Sequence, residues 1–445
     1  MQVNGGYGYV SRNRLFTAGP VGIFLPSLTG RAGVEHHQGD NMRADRPFLR
    51  LTAGRCTIFR TSEGYSRTRA AAAAATAAAL LVSGCQSATD TAAVEVVPCA
   101  AAPAETGEDE FGDGALAEGA RMAEAMALPT AIDPDYVHHS SSGVLTGSRL
   151  MVTAGHNNEV ADAAEDHGLL AGFVSTRFAG DARSQDSRWL THAIMRFRDS
   201  ASACAAATDL AAAAERSRGM WDTADREPAP LPGEADTHFG LRDQSGRLDG
   251  LAITSYRDYV VYTEVRDRDR AAIERVITRA LELQRPLLDS FAATPVPELA
   301  RLPYDPDGVF ALSVGANATG PGAYGQRGAV LFAEDQVAAA RLYPELGVSA
   351  MANKGTTVYR AADSAGAARL RGFLAETIAA AHGKTVAPAP AEQPETSCLS
   401  DGRDHPNAWT CVVSAGPYVA EAWGRSQDET HQLVREQRAV LAAAE

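Results

Sequence analysis

Apolar positions recur with two periods along the chain. Residues 115–128 place Leu116, Met122, Met126 and Leu128 at helical spacing, and Pro129 ends the pattern. Short apolar runs at 150–153, 170–178 and 191–197 predict strands, with a short helix over 159–166 between the first two. Asp199 is placed to cap an alanine-rich helix over 200–216. Residues 219–246, with Pro228, Pro230 and Pro232, read as a polar loop. A hairpin pattern follows at 251–256 and 259–265, turning at Arg257-Asp258. The next helix puts Ile273, Val276, Ile277, Ala280, Leu281 and Leu288 on one face, with a kink expected at Pro286.

The second half echoes the first. Strands are predicted at 309–314, 329–332, 347–352 and 356–360, with a helix over 334–343. Asp363-Ser364-Ala365 matches Asp199-Ser200-Ala201 and opens a helix over 364–381. A proline-rich loop at 386–394 precedes a second hairpin at 409–414 and 418–423. Ser426-Gln427-Asp428-Glu429 is a capping box for the last helix. Tyr259 to Gln284-Arg285 and Tyr418 to Gln437-Arg438 are matching endings. The expected fold is α+β: two tandem, duplicated units, residues 115–293 and 304–445, joined by a linker at 294–303. Each has a mostly antiparallel sheet covered by helices, in the order helix, two strands, helix, two strands, helix.

The segment before these units has a different character. Arg60, Arg67 and Arg69 lead into an alanine-rich apolar run that ends at Leu81-Val82-Ser83-Gly84-Cys85. This resembles a bacterial lipobox, and residues 60–84 then form a lipoprotein signal peptide. Cys85 would carry the lipid, each buried CH2 contributing about 0.8 kcal/mol of anchoring. Residues 1–59 read as an over-long start or a cytoplasmic extension. Residues 85–114, rich in Ala, Thr, Pro, Glu and Asp, read as a flexible tether.

Charge and cysteines narrow the partners. Residues 1–84 hold 10 Arg and 4 acidic residues, so the rest has 31 basic and 51 acidic residues and a net charge of −20. Such a surface repels phosphate backbones, which excludes nucleic acid as a partner. Lys354 and Lys384 are the only lysines in the chain. Cys99, Cys204, Cys398 and Cys411 follow the lipobox and admit three pairings. The preferred one joins Cys398 to Cys411 across a polar loop, worth about 3 kcal/mol; Cys99 with Cys204 is the remainder. No CxxC spacing supports zinc.

Candidate chemistry is sparse. Gly320-Pro321-Gly322-Ala323-Tyr324-Gly325 fits GxGxxG by letter, but Pro321 removes an amide and a strand is expected after it, so it reads as a hairpin turn. His138-His139-Ser140-Ser141-Ser142, with His156 and Glu159 nearby, could ligate a metal but reads as a solvated loop. Ser140, His192 and Asp199 form a triad only on paper, and no HExxH or GxSxG is present. Trp189, Trp221, Trp409, Trp423, Tyr256, Tyr259 and Tyr418 lie on or beside predicted strands, as core residues or the lining of a cleft. Asn317-Ala318-Thr319 matches a glycosylation sequon by coincidence.

The lipobox at Cys85, the phrase Gly322-Ala323-Tyr324-Gly325-Gln326-Arg327-Gly328-Ala329-Val330-Leu331-Phe332, and Thr357-Val358-Tyr359-Arg360-Ala361-Ala362-Asp363 ahead of a helix together resemble a group of exported lipoproteins of unknown function from mycolic-acid-bearing actinobacteria. The resemblance implies an envelope location and a two-part α+β body, and no catalytic residues. The expected protein is a non-enzymatic binding or structural module on the extracytoplasmic face, without cofactor or metal. Its partners would be the membrane, through the lipid, and an envelope ligand or protein. The alternative is a hydrolase of envelope lipid or glycan with a site built from distant residues.

Overall fold

The computed structural model describes residues 111–445 apart from 155–156, 181–186, 217–223 and 317–320. Cys85, the signal-like segment and most of the tether lie outside the described residues. So do Cys99, His156, Trp221, Asn317 and Gly320.

The first unit opens with α1 (Asp113–Met122), a 3-10 turn (Ala123–Ala125) and α2 (Pro129–Ile132). Next come β1 (His138–Val144), α3 (Gly147–Thr153), α4 (Asn158–Asp166), β2 (Ala171–Ala179), β3 (Arg188–Arg196) and α5 (Ser200–Arg216). The unit closes with β4 (Glu227–Pro228), β5 (Thr237–Asp243), β6 (Leu248–Tyr256), β7 (Tyr259–Asp267) and α6 (Arg270–Ser290), which keeps Pro286 inside it. After two 3-10 turns, the second unit runs β8 (Gly322–Gly325), α7 (Gln326–Phe332), α8 (Gln336–Glu345), β9 (Ala350–Asn353), β10 (Thr357–Arg360) and α9 (Ser364–His382). It ends with β11 (Thr385–Ala387), β12 (Ser397–Ser400), β13 (Trp409–Ala415), β14 (Tyr418–Gly424) and α10 (Gln427–Ala442).

The two sheets have one topology. The first has the order β1-β2-β3-β7-β6-β5-β4, and the second, β8-β9-β10-β14-β13-β12-β11, repeats it strand for strand. All pairs are antiparallel. The registers superimpose: Arg196 faces Tyr259 as Arg360 faces Tyr418, and Tyr256 faces Tyr259 as Ala415 faces Tyr418. Both hairpin turns need a left-handed residue, Arg257 (φ 55°) in one and Gly416 (φ 48°) in the other.

Equivalent polar anchors survive. Gln284 on α6 accepts from Ala127 N, donates to Ala125 O and bonds His192 of β3. Gln437 on α10 accepts from Val314 N, donates to Leu312 O and bonds Thr356, the residue at the place of His192. In each copy the last helix thereby clamps the strap that leads into the sheet. A fully buried amide needs such partners, because each unmade hydrogen bond costs about 1–3 kcal/mol.

One apolar core joins the units. It packs Ile273, Val276 and Ile277 of α6 with Val261 and Val265, and continues through Tyr324, Val330 and Leu331 to Leu370, Leu374 and Val419. The other face of the first sheet packs on α5 through Ala206, Leu210 and Val260. In the second unit it is α10, the counterpart of α6, that covers the remaining face, packing Val434 and Leu441 on Ala420 and Ala422.

Four segments differ from the pattern-based expectation. Residues 150–153 are helical, because Thr146 accepts from Arg149 N and starts α3. Residues 329–332 are helical too: Glu124, some 200 positions earlier, accepts from Arg327 N and Gly328 N and caps α7. Residues 309–314 hold only a 3-10 turn at Phe310–Leu312, whose first amides donate to Asp305. Residues 138–142 are a strand, not a solvated loop, since Ser142 meets Ser175 at 3.0 Å and His138 stacks on Phe178. The loop at 219–246 hides β4 and β5, and the one at 386–394 begins inside β11. Each half is therefore β-α-α-β-β-α-β-β-β-β-α, longer than the expected alternation.

Candidate functional site

The duplication provides an internal standard, because one place on each sheet gathers buried charge. It lies at the start of the edge strand that follows the crossover helix. In the first unit Arg226 directly precedes β4; in the second Lys384 directly precedes β11, and both side chains are buried. Arg226 donates to Asp249 O at 2.8 Å and pairs with the Glu264 carboxylate at 3.0 Å. Asp249 in turn takes Arg266 at 2.6 Å. Carboxylates and guanidinium groups here are matched within the chain.

The second unit keeps the buried cation and rearranges its partners. Register places Glu421 where the first unit has Tyr262, and Trp423 where it has Glu264. Lys384 Nζ donates to Asn407 O at 2.6 Å and to Thr410 Oγ1 at 2.5 Å, and lies 4.5 Å from the centre of the Trp423 ring. Burial pulls its ammonium down to about 8. The Glu421 carboxylate accepts from Tyr359 OH at 3.1 Å and from Trp423 Nε1 at 3.4 Å. Neither partner is a cation. Burial, with the nearby Glu334 charge added, pushes Glu421 up to about 7.

The loop between α7 and α8 completes the cluster and ties it to the first unit. Arg177 of β2, fully buried, donates to Val137 O at 2.7 Å and to the carbonyls of Ala333 and Glu334. The Glu334 side chain bonds His382, at the end of α9, at 2.9 Å. Burial would raise Glu334, but the His382 hydrogen bond and the His139, His382 and Arg177 charges outweigh it and hold the carboxyl below its usual value. His382 meets the Trp423 ring edge-on at 5.5 Å. Tyr343 packs edge-on against Tyr359 at 6.1 Å, fully buried, and the two hydroxyls share a hydrogen bond. The cluster reaches the surface at half-buried Glu334, half-buried Trp423 and exposed His382.

Of the residues singled out on the sequence, only Trp423 and His139 belong here. His139 bonds Ser142 at 3.3 Å, and burial together with the Arg177 charge holds its imidazole down at about 4. The paper triad is not assembled: Ser140 is exposed, His192 is spent on Thr263 and Gln284, and Asp199 caps α5 at Ser202 N. Glu159 is exposed on α4. Trp189 packs on Phe178, Trp409 on His431, and Tyr256 donates to Asp289; Tyr259 is buried and Tyr418 lies on β14. The GxGxxG letters run into a helix after all, but Glu124 already occupies its first amides.

Cys398 and Cys411 face each other across β12 and β13 and form a disulfide. Their sulfurs lie near His431, yet bonded to each other they are not free to ligate a metal. Cys204 is disulfide-bonded as well. Glu334, His382 and Glu421 escaped the sequence reading, and Tyr359 and Lys384 entered it without a role. The one available signal was the rarity of lysine in an arginine-rich chain.

The fold defines a tandem protein, two copies of one α+β unit whose second copy has diverged around a buried carboxyl. Two family models match it: Domain of unknown function (DUF7373) N-terminal over residues 105–304, and its C-terminal counterpart over 304–444. The chain carries both domains of this family in tandem. No curated protein matches it. Among solved structures, the extracellular domain of PknH from Mycobacterium tuberculosis is 12% identical, covering 42% of this chain and 99% of that one, with a TM-score of 0.27. That score is too low to carry an argument. No helix among the described residues is long and apolar enough to cross a membrane.

Proposed function

We propose that the protein is an exported module of the cell envelope that binds an envelope component without turning it over, and that the second unit's cluster takes the ligand. The observation that carries this reading is Glu421, a buried carboxyl whose two hydrogen-bond partners, Tyr359 and Trp423, are neutral, at a position where the duplicate unit has the uncharged Tyr262. Export is supported by the Cys398–Cys411 disulfide, since such bonds persist in oxidising compartments. Lipid anchoring at Cys85, and kinship with lipoproteins of mycolic-acid-bearing actinobacteria, remain part of the proposal on the strength of the lipobox. Two experiments test it. A Cys85→Ser variant should lose partition into the membrane fraction; undiminished membrane association would refute the anchor. The purified chain should retain a component of envelope extract, whereas an E421Q variant should not.

A hydrolase is the second reading. It is favoured by two carboxyls driven apart, Glu421 upward and Glu334 downward, the pattern that separates an acid from a base. Turnover of an envelope glycan that disappears in both E421Q and E334Q would establish it in place of simple binding.

A further inference from the structure

We propose that Cys398, Cys411 and His431 form a site for a thiophilic d10 cation, Zn2+ or Cu+, in the chain whose two cysteines are still thiols. The site is separate from the Glu421 cluster. Thr410 turns to Lys384 on one face of β13, and Cys411 beside it turns to the other face, under α10. Cys398 and Cys411 are register partners on β12 and β13, and His431 lies on α10. A ring nitrogen of His431 and the two sulfurs all lie within 4.8 Å of one another. All three side chains are buried. Ligation at about 2.3 Å for sulfur and about 2.1 Å for nitrogen sets tetrahedral donors about 3.6 Å apart. Opening the S–S bond and small side-chain rotations reach that spacing.

Two further observations point to a ligand set. His431 Nε2 lies 2.9 Å from Pro388 O. A carbonyl only accepts, so Nε2 carries the proton and Nδ1 of the neutral ring keeps its lone pair. A bond from one ring nitrogen to a backbone carbonyl is how metal-binding histidines are oriented. The duplicate unit supplies the other observation. Register puts Phe239 at the place of Cys398 and Ala252 at that of Cys411. Counting back from the paired Gln284 and Gln437 puts Thr278 at the place of His431. A disulfide needs two of these three changes, and the third brings an imidazole to both sulfurs. Val413, Ala420, Ala422 and Val434 pack with the two cysteines in an apolar cluster. Two thiolates neutralise Zn2+, whereas Cu+ is satisfied by three soft donors. Among the described residues no fourth His, Cys, Asp or Glu joins the group.

Bound cation and disulfide exclude each other. When a disulfide oxidant takes two electrons, its own S–S bond breaks to two thiolates, the Cys398–Cys411 bond forms and the cation leaves. In reverse, a dithiol supplies two electrons and closes to a disulfide, and the two protein thiols give their protons to solvent as the cation binds. Both sulfurs are buried, so the state is set as the chain folds. The full chain, refolded without oxygen in a phosphine reductant, is titrated with Zn2+ and with Cu+ against a chromophoric chelator. Co2+ reports thiolate ligation by its charge-transfer band. Reduced wild type should take up one equivalent more than the reduced C398S/C411S variant, and the cation taken up names the occupant. The oxidised wild type, which needs no substitution to fold, should lack that equivalent. H431A keeps its disulfide for folding under oxidation, and once reduced should hold the cation at least about tenfold more weakly. Equal uptake by reduced wild type and C398S/C411S, equal uptake by the oxidised chain, or unchanged affinity in H431A overturns the proposal. Each of these outcomes leaves the envelope-binding reading where it stands.

Discussion

Replacing Glu421 by glutamine should stabilise the protein, and only above about pH 5. The folded chain holds this carboxyl's proton up to about pH 7, against an ordinary value of 4.5. Between those two values the unfolded chain has lost the proton and the folded chain keeps it. Stability therefore falls as pH rises through this window, and the full loss is present above pH 7. A gap of that size corresponds to about 3 kcal/mol, at 1.36 kcal/mol per pH unit. Glutamine removes the ionisation and keeps one oxygen for the Tyr359 hydroxyl. Its NH2 faces the weaker Trp423 contact, at 3.4 Å, and sets back about 1 kcal/mol. The expected net gain is about 2 kcal/mol at pH 8, turning into a cost of about 1 kcal/mol at pH 4. Urea unfolding of both proteins from pH 4 to pH 8 measures the difference directly. Glu264 is also raised by burial, but it is common to both proteins and cancels. A difference that does not change with pH would refute the reasoning, because it would mean that Glu421 titrates alike in the folded and unfolded chains.

Three further outcomes follow from the packing. Arg177→Met should destabilise by about 3–5 kcal/mol in urea, since the carbonyls of Val137, Ala333 and Glu334 lose a buried donor, and should loosen the α7–α8 loop in hydrogen exchange. Glu124→Ala should cost about 1–2 kcal/mol and raise amide exchange at Arg327 and Gly328, whose N–H groups it caps. Replacing Cys398 and Cys411 together by alanine should lower stability by about 3 kcal/mol, given a separation of 13 residues, and make it indifferent to reductant at this bond.

Legibility from sequence tracked the range of the interactions that fix each element. Helices α5, α6, α9 and α10 carry their own caps, such as Asp199, Asp363 and Ser426, and their apolar faces are long enough to set the period. The hairpins β6–β7 and β13–β14 carry their own turn and alternation. Short apolar runs at 150–153 and 329–332 were ambiguous, since four residues cannot tell one period from another. The site was less legible still. Its members come from β10, β14, the end of α9, the start of β11 and a loop held by an arginine of the other unit.

The chain alone determined the α+β class, the tandem repeat, the long helices and the net negative charge, and it favoured Cys398 with Cys411 among three pairings, because propensity, period and charge are local or additive. Tertiary structure decided that Glu124 starts α7 and that Arg177 plugs the second unit. It also decided that Glu421, Glu334, His382 and Lys384 share one place. The physical reason is that burial and the charges packed around a group set its hydrogen bonds and ionisation, and neither is a property of sequence neighbours.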